Sequence, residues 1–340
     1  MRILTQKDKL FLLQRSFFTL DGLWMIKIEE ISNWDIALKI DSKVWEILLK
    51  IIIRRLKKYL DLQGNSLENL LRILTFRWSA EGWEFRVSPQ NECYRIEINN
   101  CPYKSAMERN PERRDKIPLI CRNMCIPFYE EIVNTYNPLI KLKRDKFMGL
   151  GDDLCSFNFS FQEKPLKGYS QDVDEFFIGN LSNDDKLFYF ERNFRTLDGL
   201  WVIETEKELG WEKTLRLDTV IWQELYKIMF RRVIKYLKIQ DNSLKSLVEI
   251  LSFIWNCEGN LHEIHTINED KVIMKITKCP YIESMERNSE RSKYISSICE
   301  KLCSNYLIPV TRAFNPKISV SKYSSIGLGA DSCDFILEYS

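Results

Sequence analysis

Four cysteines occur in each half of the chain with the same spacing. Each cysteine of the second set follows its counterpart by 178 positions, as Cys279 follows Cys101. Four converging sulfurs are the ligand set of a tetrahedral zinc site or of an iron-sulfur cluster. The pattern therefore predicts one zinc or iron-sulfur site in each half. The eight candidate ligands are Cys101, Cys121, Cys125, Cys155, Cys279, Cys299, Cys303 and Cys333.

Three further roles stay open for these thiols, because free cysteines also serve as small buried apolar groups, form disulfides or do redox chemistry. The start of the chain carries charges that interrupt any secretory apolar region, so we expect a cytoplasmic protein with reduced thiols. The chain has two histidines, His262 and His265, both in the second half. A site common to both halves therefore cannot contain a Ser-His-Asp or Cys-His catalytic arrangement.

Two pairs of aspartates accompany the cysteines. Asp153 and Asp331 lie two residues before the last cysteine of each set, where they could orient a ligand or replace a thiol. Asp21 and Asp198 lie in a repeated Thr-Leu-Asp-Gly-Leu-Trp segment and are candidates for a ligand pocket. The alternative for that segment is a helix bend with a tryptophan in the core.

The duplication extends beyond the cysteines, with an offset of 177 in the first part of each half and 178 afterwards. It predicts a first repeat over 1–162, with a helical part at 1–78 and a cysteine-bearing part at 79–162. An acidic segment rich in turn-forming residues, 163–185, is predicted to be the linker. The second repeat then covers 186–340, with its helical part at 186–255 and its cysteine-bearing part at 256–340.

Hydrophobic periodicity gives the fold class. Apolar residues recur at three- and four-residue intervals over 7–30, 34–40, 42–62 and 66–76, which predicts helices. The pattern then alternates over 83–87 and 94–98, as in a hairpin, before a predicted helix over 113–136 and strands over 139–143 and 155–161. Each repeat is thus predicted to be an α+β unit, a helical bundle followed by β-β-α-β-β. Two such repeats are expected to pack with pseudo-two-fold symmetry.

Composition restricts the partners. The net charge is only +2, which gives no electrostatic basis for binding nucleic acid. The most apolar stretch, 47–53, is too short to span a bilayer, so no membrane association is expected. A small-molecule ligand is the expected partner, and the sequence identifies no protein partner.

One further pattern carries a family resemblance. Each half has Cys-Pro, a cysteine pair four residues apart, Asn-Pro, and an ending that runs from Gly151 to Phe157 or from Gly329 to Phe335. This order resembles an uncharacterised archaeal and bacterial domain that is similar to the L-2-amino-thiazoline-4-carboxylic acid hydrolase family. More distantly, it resembles 4-vinyl reductase-type ligand-sensing domains, and this second resemblance implies a structural zinc beside an apolar ligand pocket.

Two functions follow as hypotheses. The first is a cytoplasmic metalloprotein with one four-cysteine zinc or iron-sulfur site per repeat, which binds a small ligand or carries electrons. The alternative is a metal- or thiol-dependent hydrolase of a small cyclic C-N substrate. In that case Cys121 or Cys125 would be the thiolate, and Asp153 the acid or base.

Overall fold

The computed structural model describes residues 4–90, 93–161 and 179–339. It confirms an α+β protein made of two similar halves. The first half contains helices and strands in the predicted order: α1 (Gln6–Ile31), α2 (Trp34–Tyr59), α3 (Leu67–Glu81), β1 (Glu84–Pro89), β2 (Cys93–Asn100), α4 (Pro102–Glu108), α5 (Ile117–Ile120), α6 (Ile126–Tyr136), β3 (Ile140–Lys143) and β4 (Cys155–Phe161).

The second half repeats this order after the predicted linker, most of which lies outside the described residues. Its elements are α7 (Asn183–Leu209), α8 (Trp211–Leu237), α9 (Leu244–Glu258), β5 (Leu261–Asn268), β6 (Lys271–Lys278), α10 (Pro280–Glu286), α11 (Ser289–Ser292), α12 (Ile295–Lys301), α13 (Cys303–Phe314), β7 (Ile318–Lys322) and β8 (Cys333–Tyr339). Among the residues described, none of the helices has the length and apolar character that crossing a bilayer requires.

Local capping explains several helix ends. Thr5 and Asp8 form a reciprocal capping box at the start of α1. Ser66 caps α3 by accepting a hydrogen bond from the main-chain N–H of Asn69, and the helix ends at Gly82 in the left-handed conformation. The same serine and glycine roles recur at Ser243 and Gly259 around α9, so the duplicated segments fold by the same local rules.

The two sheets have the same topology, with strand orders β1-β2-β4-β3 and β5-β6-β8-β7 and antiparallel pairing throughout. Registers correspond as well: Ile98 pairs with Cys155, and Ile276 pairs with Cys333. Cys155 therefore begins β4 beside the end of β2, the strand that Cys101 follows. In the same way, Cys333 begins β8 beside the end of β6, the strand that Cys279 follows.

Two helical predictions were wrong in detail. The predicted helices 34–40 and 42–62 are one continuous helix, α2. The predicted helix 113–136 is broken into a 3₁₀ turn at Pro111–Lys116, α5, a π-helical turn at Cys121–Cys125, and α6. Pro118 and Pro127 have no amide hydrogen, so two of the regular helical hydrogen bonds cannot form there. In the second half the helix is likewise interrupted, at Leu302 between α12 and α13.

The described chain divides into two compact units, Leu38–Tyr189 and Met1–Ala37 with Phe190–Ser340. In the second of these units, α1 packs on α8 and α9, although α1 belongs to the first repeat by sequence. Its core includes the parallel stacked rings of Trp24 and Trp201, with centroids 5.9 Å apart. The core of the unit Leu38–Tyr189 is built around Trp78, whose ring lies 5.2 Å from that of Phe157.

Candidate thiol site

The four cysteines of the first repeat lie at element boundaries. Cys101 follows β2 at the N-cap position of α4, Cys121 and Cys125 begin and end the π-helical turn, and Cys155 begins β4. Burial raises the pKa of Cys101 and Cys121, and the charges of Cys125 and Cys155 raise both further. The four thiols therefore lie close enough to affect one another's pKa, and we call them the thiol cluster.

The second repeat forms the same cluster from Cys279, Cys299, Cys303 and Cys333. Burial raises the pKa of Cys303 to about 12, and Cys299, Cys279 and Cys333 raise it as well. For Cys279 burial again has the largest effect and raises the pKa to about 11. At neutral pH the thiols of Cys279 and Cys303 are therefore protonated.

The predicted metalloprotein function is wrong. Within residues 4–90, 93–161 and 179–339, no group of three or more His, Cys, Asp or Glu side chains is placed to hold a metal ion. The sulfurs instead contact main-chain and cationic groups: the N–H of Met148 donates to Cys155 Sγ at 3.2 Å, and that of Ile326 donates to Cys333 Sγ at 3.3 Å. The eight cysteines of the two sets are free thiols.

A cation that the sequence reasoning missed lies beside the thiols of each repeat. Arg144 places Nη1 3.5 Å from Cys125 Sγ, and its guanidinium lies 3.9 Å from the ring centroid of Phe157. Lys322, its counterpart at an offset of 178, donates a 3.0 Å hydrogen bond to the Cys299 carbonyl and lies over Phe335. Retention of a basic residue at this offset was the available sequence signal. Burial raises the pKa of Cys121 and of Cys155, and the positive charge of Arg144 opposes this rise at both thiols.

A glycine packs against a thiol of the cluster in each repeat. A Cβ atom built on Gly149 would lie 2.0 Å from Cys121 Sγ, and one built on Gly327 would lie 2.3 Å from Cys299 Sγ. Real Cβ atoms do not approach sulfur so closely, so only glycine fits at these two positions. The repeated Gly-x-Gly segment therefore packs its main chain against the first cysteine of the helical pair.

A buried polar cluster adjoins the thiols of the first repeat. The Arg77 Nε–H donates to Glu81 at 2.9 Å, and both side chains are almost completely buried. The Tyr129 hydroxyl accepts hydrogen bonds from Trp78 at 2.8 Å and from Arg77 at 3.3 Å. Tyr189 also donates to Glu81. Burial raises the pKa of Tyr129, and so does the charge of Cys125, which places this phenol next to the thiol cluster.

The described residues of the corresponding cluster in the second repeat form no such ion pair. The Tyr226 hydroxyl donates to Glu258 at 3.0 Å, and Asn260 contacts the same oxygen at 3.5 Å. Burial raises the pKa of Glu258 to about 8. Tyr306 links this carboxyl to the thiols, because both Cys303 and Glu258 raise its pKa, after burial as the largest cause.

The four predicted aspartates have different surroundings. Asp153 has a side chain that is 73% exposed and forms an ion pair with Lys146 at 3.0 Å, and Asp331 is exposed. Asp21 is buried and accepts a 3.0 Å hydrogen bond from Trp201 Nε1. Asp198 is also buried, and burial raises its pKa to about 7. The described contacts of Asp153 are therefore with Lys146 rather than with the thiols.

The two repeats match two different protein families. A family described as L-2-amino-thiazoline-4-carboxylic acid hydrolase matches residues 30–159. A family of unknown function, DUF6125, matches residues 181–303. No curated protein and no solved structure matches the chain. The resemblance of the first repeat to the hydrolase family is thus confirmed as a similarity, and the two matches are consistent with two tandem units.

Proposed function

We propose that the protein is a thiol-dependent hydrolase of a small cyclic C-N compound, with Cys125 of the first repeat as the nucleophile. The observation that carries this proposal is the 3.5 Å approach of Arg144 Nη1 to Cys125 Sγ within a cluster of four thiols. The first repeat is also the part that is similar to the hydrolase family. The π-helical turn that ends at Cys125 is a second indication, because such turns occur frequently at functional sites.

The reaction follows from thiol chemistry in two steps. The Cys125 sulfur forms a bond to the ring carbon, the ring C–N bond breaks, and the thiol proton goes to the departing nitrogen. A water molecule then displaces the sulfur: its hydroxyl stays on the carbon and its proton returns to the thiol. One water is consumed, one C–N bond is cleaved, and no oxidant or reductant is required.

Tyr129 is better placed than Asp153 to assist the proton transfer. Cys125 and Tyr129 are four residues apart at the start of α6, so they share one face of that helix. The Tyr129 oxygen accepts from Trp78 and Arg77, which leaves its own proton for another acceptor. The hydrogen bond from Lys146 lowers the pKa of Asp153 and keeps this exposed carboxylate ionised. We therefore assign Tyr129 as the relay of this proton: its hydroxyl donates to the leaving nitrogen and takes up the thiol proton of Cys125 in return.

The remaining expectations are part of the same proposal. A small molecule is the partner, in agreement with the distant resemblance to ligand-sensing domains of the 4-vinyl reductase type. The eight free thiols of the two sets suit a reducing compartment, so we propose a cytoplasmic location.

The test is turnover of L-2-amino-thiazoline-4-carboxylic acid by the full chain, followed by product analysis. We expect Cys125→Ser to lower kcat by a factor of about 100 or more, because the alcohol is a much weaker nucleophile at neutral pH. Arg144→Met should slow alkylation of Cys125 by iodoacetamide and lower kcat. Cys93→Ser, a matched change in a cysteine outside the cluster, should have no effect.

Two results would contradict the proposal. Full activity in Cys125→Ser would exclude this residue as the nucleophile. A wild-type chain that hydrolyses neither this compound nor related cyclic amidines and amides would exclude the reaction class.

A further inference from the structure

In the first repeat, the guanidinium group of the Arg77 side chain is buried against a carboxylate and aromatic rings. Arg77 pairs with Glu81 at 2.9 Å, and its guanidinium carbon lies 5.2 Å from the ring centroid of Trp45 and 5.8 Å from that of Phe128. The arrangement is a carboxylate combined with aromatic faces. This is a chemistry by which proteins recognise planar cations.

The second repeat retains the surroundings of that guanidinium but not the arginine. Glu258 stands at the position of Glu81, Trp222 at that of Trp45, and Tyr306 at that of Phe128. Ile254 stands at the position of Arg77. Tyr226, where the first repeat has Leu49, fills part of the space and satisfies one oxygen of Glu258.

Several polar atoms of this cluster are buried without a hydrogen-bond partner among the residues described. The other carboxyl oxygen of Glu258, Oε1, is one, and the Tyr281 hydroxyl is another. Asp198 and Asp218 are buried beside them, and Trp222 is a hydrogen-bond donor to both, as Trp24 is to Asp198. The nearby Arg195 donates to the main-chain carbonyl of Glu258 at 3.2 Å, not to its carboxyl group. Buried polar atoms are normally satisfied, so this cluster has the character of a site that accepts a donor.

The charges of the cluster indicate the sign of that donor. Burial raises the pKa of Asp198 to about 7 and that of Asp218 well above its usual value, and Asp198 raises the Asp218 pKa further. Glu258 is affected by Asp198 in the same sense. Arg291 lowers the pKa of Asp198 and Asp218, and Arg195 lowers that of Glu258, but burial has the larger effect on all three. A cation bound among these carboxyl groups would favour their ionised form.

We infer that the second repeat binds a small molecule through a guanidinium or amidinium group, which pairs with the Glu258 carboxyl group beside the ring of Trp222. The Tyr281 hydroxyl accepts a further N–H of the same group. The ligand thus takes the place that the Arg77 guanidinium occupies in the first repeat.

Isothermal titration of the full chain tests this inference with four small probes. Methylguanidinium and acetamidinium should bind at one site per chain. Urea has the same planar shape without the charge, and tetramethylammonium has the charge without N–H donors, so both should bind at least about tenfold more weakly. Quenching of tryptophan fluorescence should report the same affinities.

Two variants locate the site. Glu258→Gln should weaken methylguanidinium binding by about tenfold or more, whereas Glu263→Gln, a matched change of an exposed carboxylate, should not. The double variant Ile254→Arg with Tyr226→Leu rebuilds the side chains of the first repeat. Its own arginine should occupy the site and abolish binding, while its thermal unfolding shows that the fold is retained.

The inference is overturned if neither planar cation binds at millimolar concentration, if urea binds as tightly as methylguanidinium, or if Glu258→Gln binds like the wild type. It does not rest on the proposed function. Cys125→Ser should abolish hydrolysis and leave methylguanidinium binding unchanged, so failure of one proposal is distinguishable from failure of the other.

Discussion

The Tyr236 hydroxyl donates a 2.8 Å hydrogen bond to the buried carboxylate of Asp8, a residue 228 positions earlier in the chain. The ring of Tyr236 also stacks on Phe11, with centroids 3.9 Å apart. The same contacts occur at an offset of 177, where Tyr59 donates to Asp185 at 2.8 Å and stacks on Phe188 at 3.9 Å. The end of the second helix of each repeat therefore contacts the start of the first helix of the other repeat.

We expect Tyr236→Phe to lower the free energy of unfolding by about 1–3 kcal/mol, because a hydrogen bond to a buried charged acceptor is lost while the ring stacking is kept. Chemical denaturation monitored by circular dichroism measures this change. Tyr323→Phe is the control, since Tyr323 is 83% exposed, and it should stay within about 0.5 kcal/mol of the wild type. An equal effect of both variants would show that the Asp8 contact does not stabilise the fold.

The raised pKa of the buried Glu258 carboxyl group predicts how the stability of the fold depends on pH. Burial raises its pKa to about 8 in the folded protein, against about 4.3 for an unperturbed glutamate. Between these values the folded state binds one more proton than the unfolded state, so the free energy of unfolding falls as the pH rises from about 5 to 8. Above pH 8 this contribution no longer changes.

We therefore expect Glu258→Gln to reduce the loss of thermal stability between pH 5 and pH 8. Asp198 and Asp218 act in the same direction, so part of the slope should remain. Melting temperatures of both proteins across this pH range measure the difference. Parallel curves for wild type and variant would contradict the raised pKa, and Glu263→Gln controls for the loss of one surface charge.

The sequence was sufficient for the fold class because the duplication and the periodicity are local features. The position of Cys155 at the start of a strand and of Cys101 after another followed from the alternation of apolar residues. The π-helical turn at Cys121–Cys125 could not be predicted in this way, because apolar residues at three- and four-residue intervals are compatible with both α- and π-helical turns. The packing of α1 on α8 and α9 depends on long-range complementarity, which no local pattern encodes.

The candidate site was predictable only in part for a similar reason. The cysteines carry their spacing in the sequence, but Arg144 is one of 50 Lys and Arg residues, and only its contact with Cys125 distinguishes it. The exchange of Arg77 for Ile254 is visible when the repeats are aligned. Its meaning depends on the burial of Glu81 and Glu258, which the sequence does not report.

Gly149 offers a last prediction about the thiol cluster. A methyl group at this position would overlap Cys121 Sγ, since the built Cβ lies only 2.0 Å from it, so Gly149→Ala should lower the free energy of unfolding by about 1–3 kcal/mol. Adding Cys121→Ala removes the overlapping sulfur and should recover part of that loss, which a double-mutant cycle measures. Gly199→Ala is the matched control, because no atom lies within 4 Å of its built Cβ and alanine favours the surrounding helix α7. Simple additivity of Gly149→Ala and Cys121→Ala would mean that the glycine is not required by the cysteine.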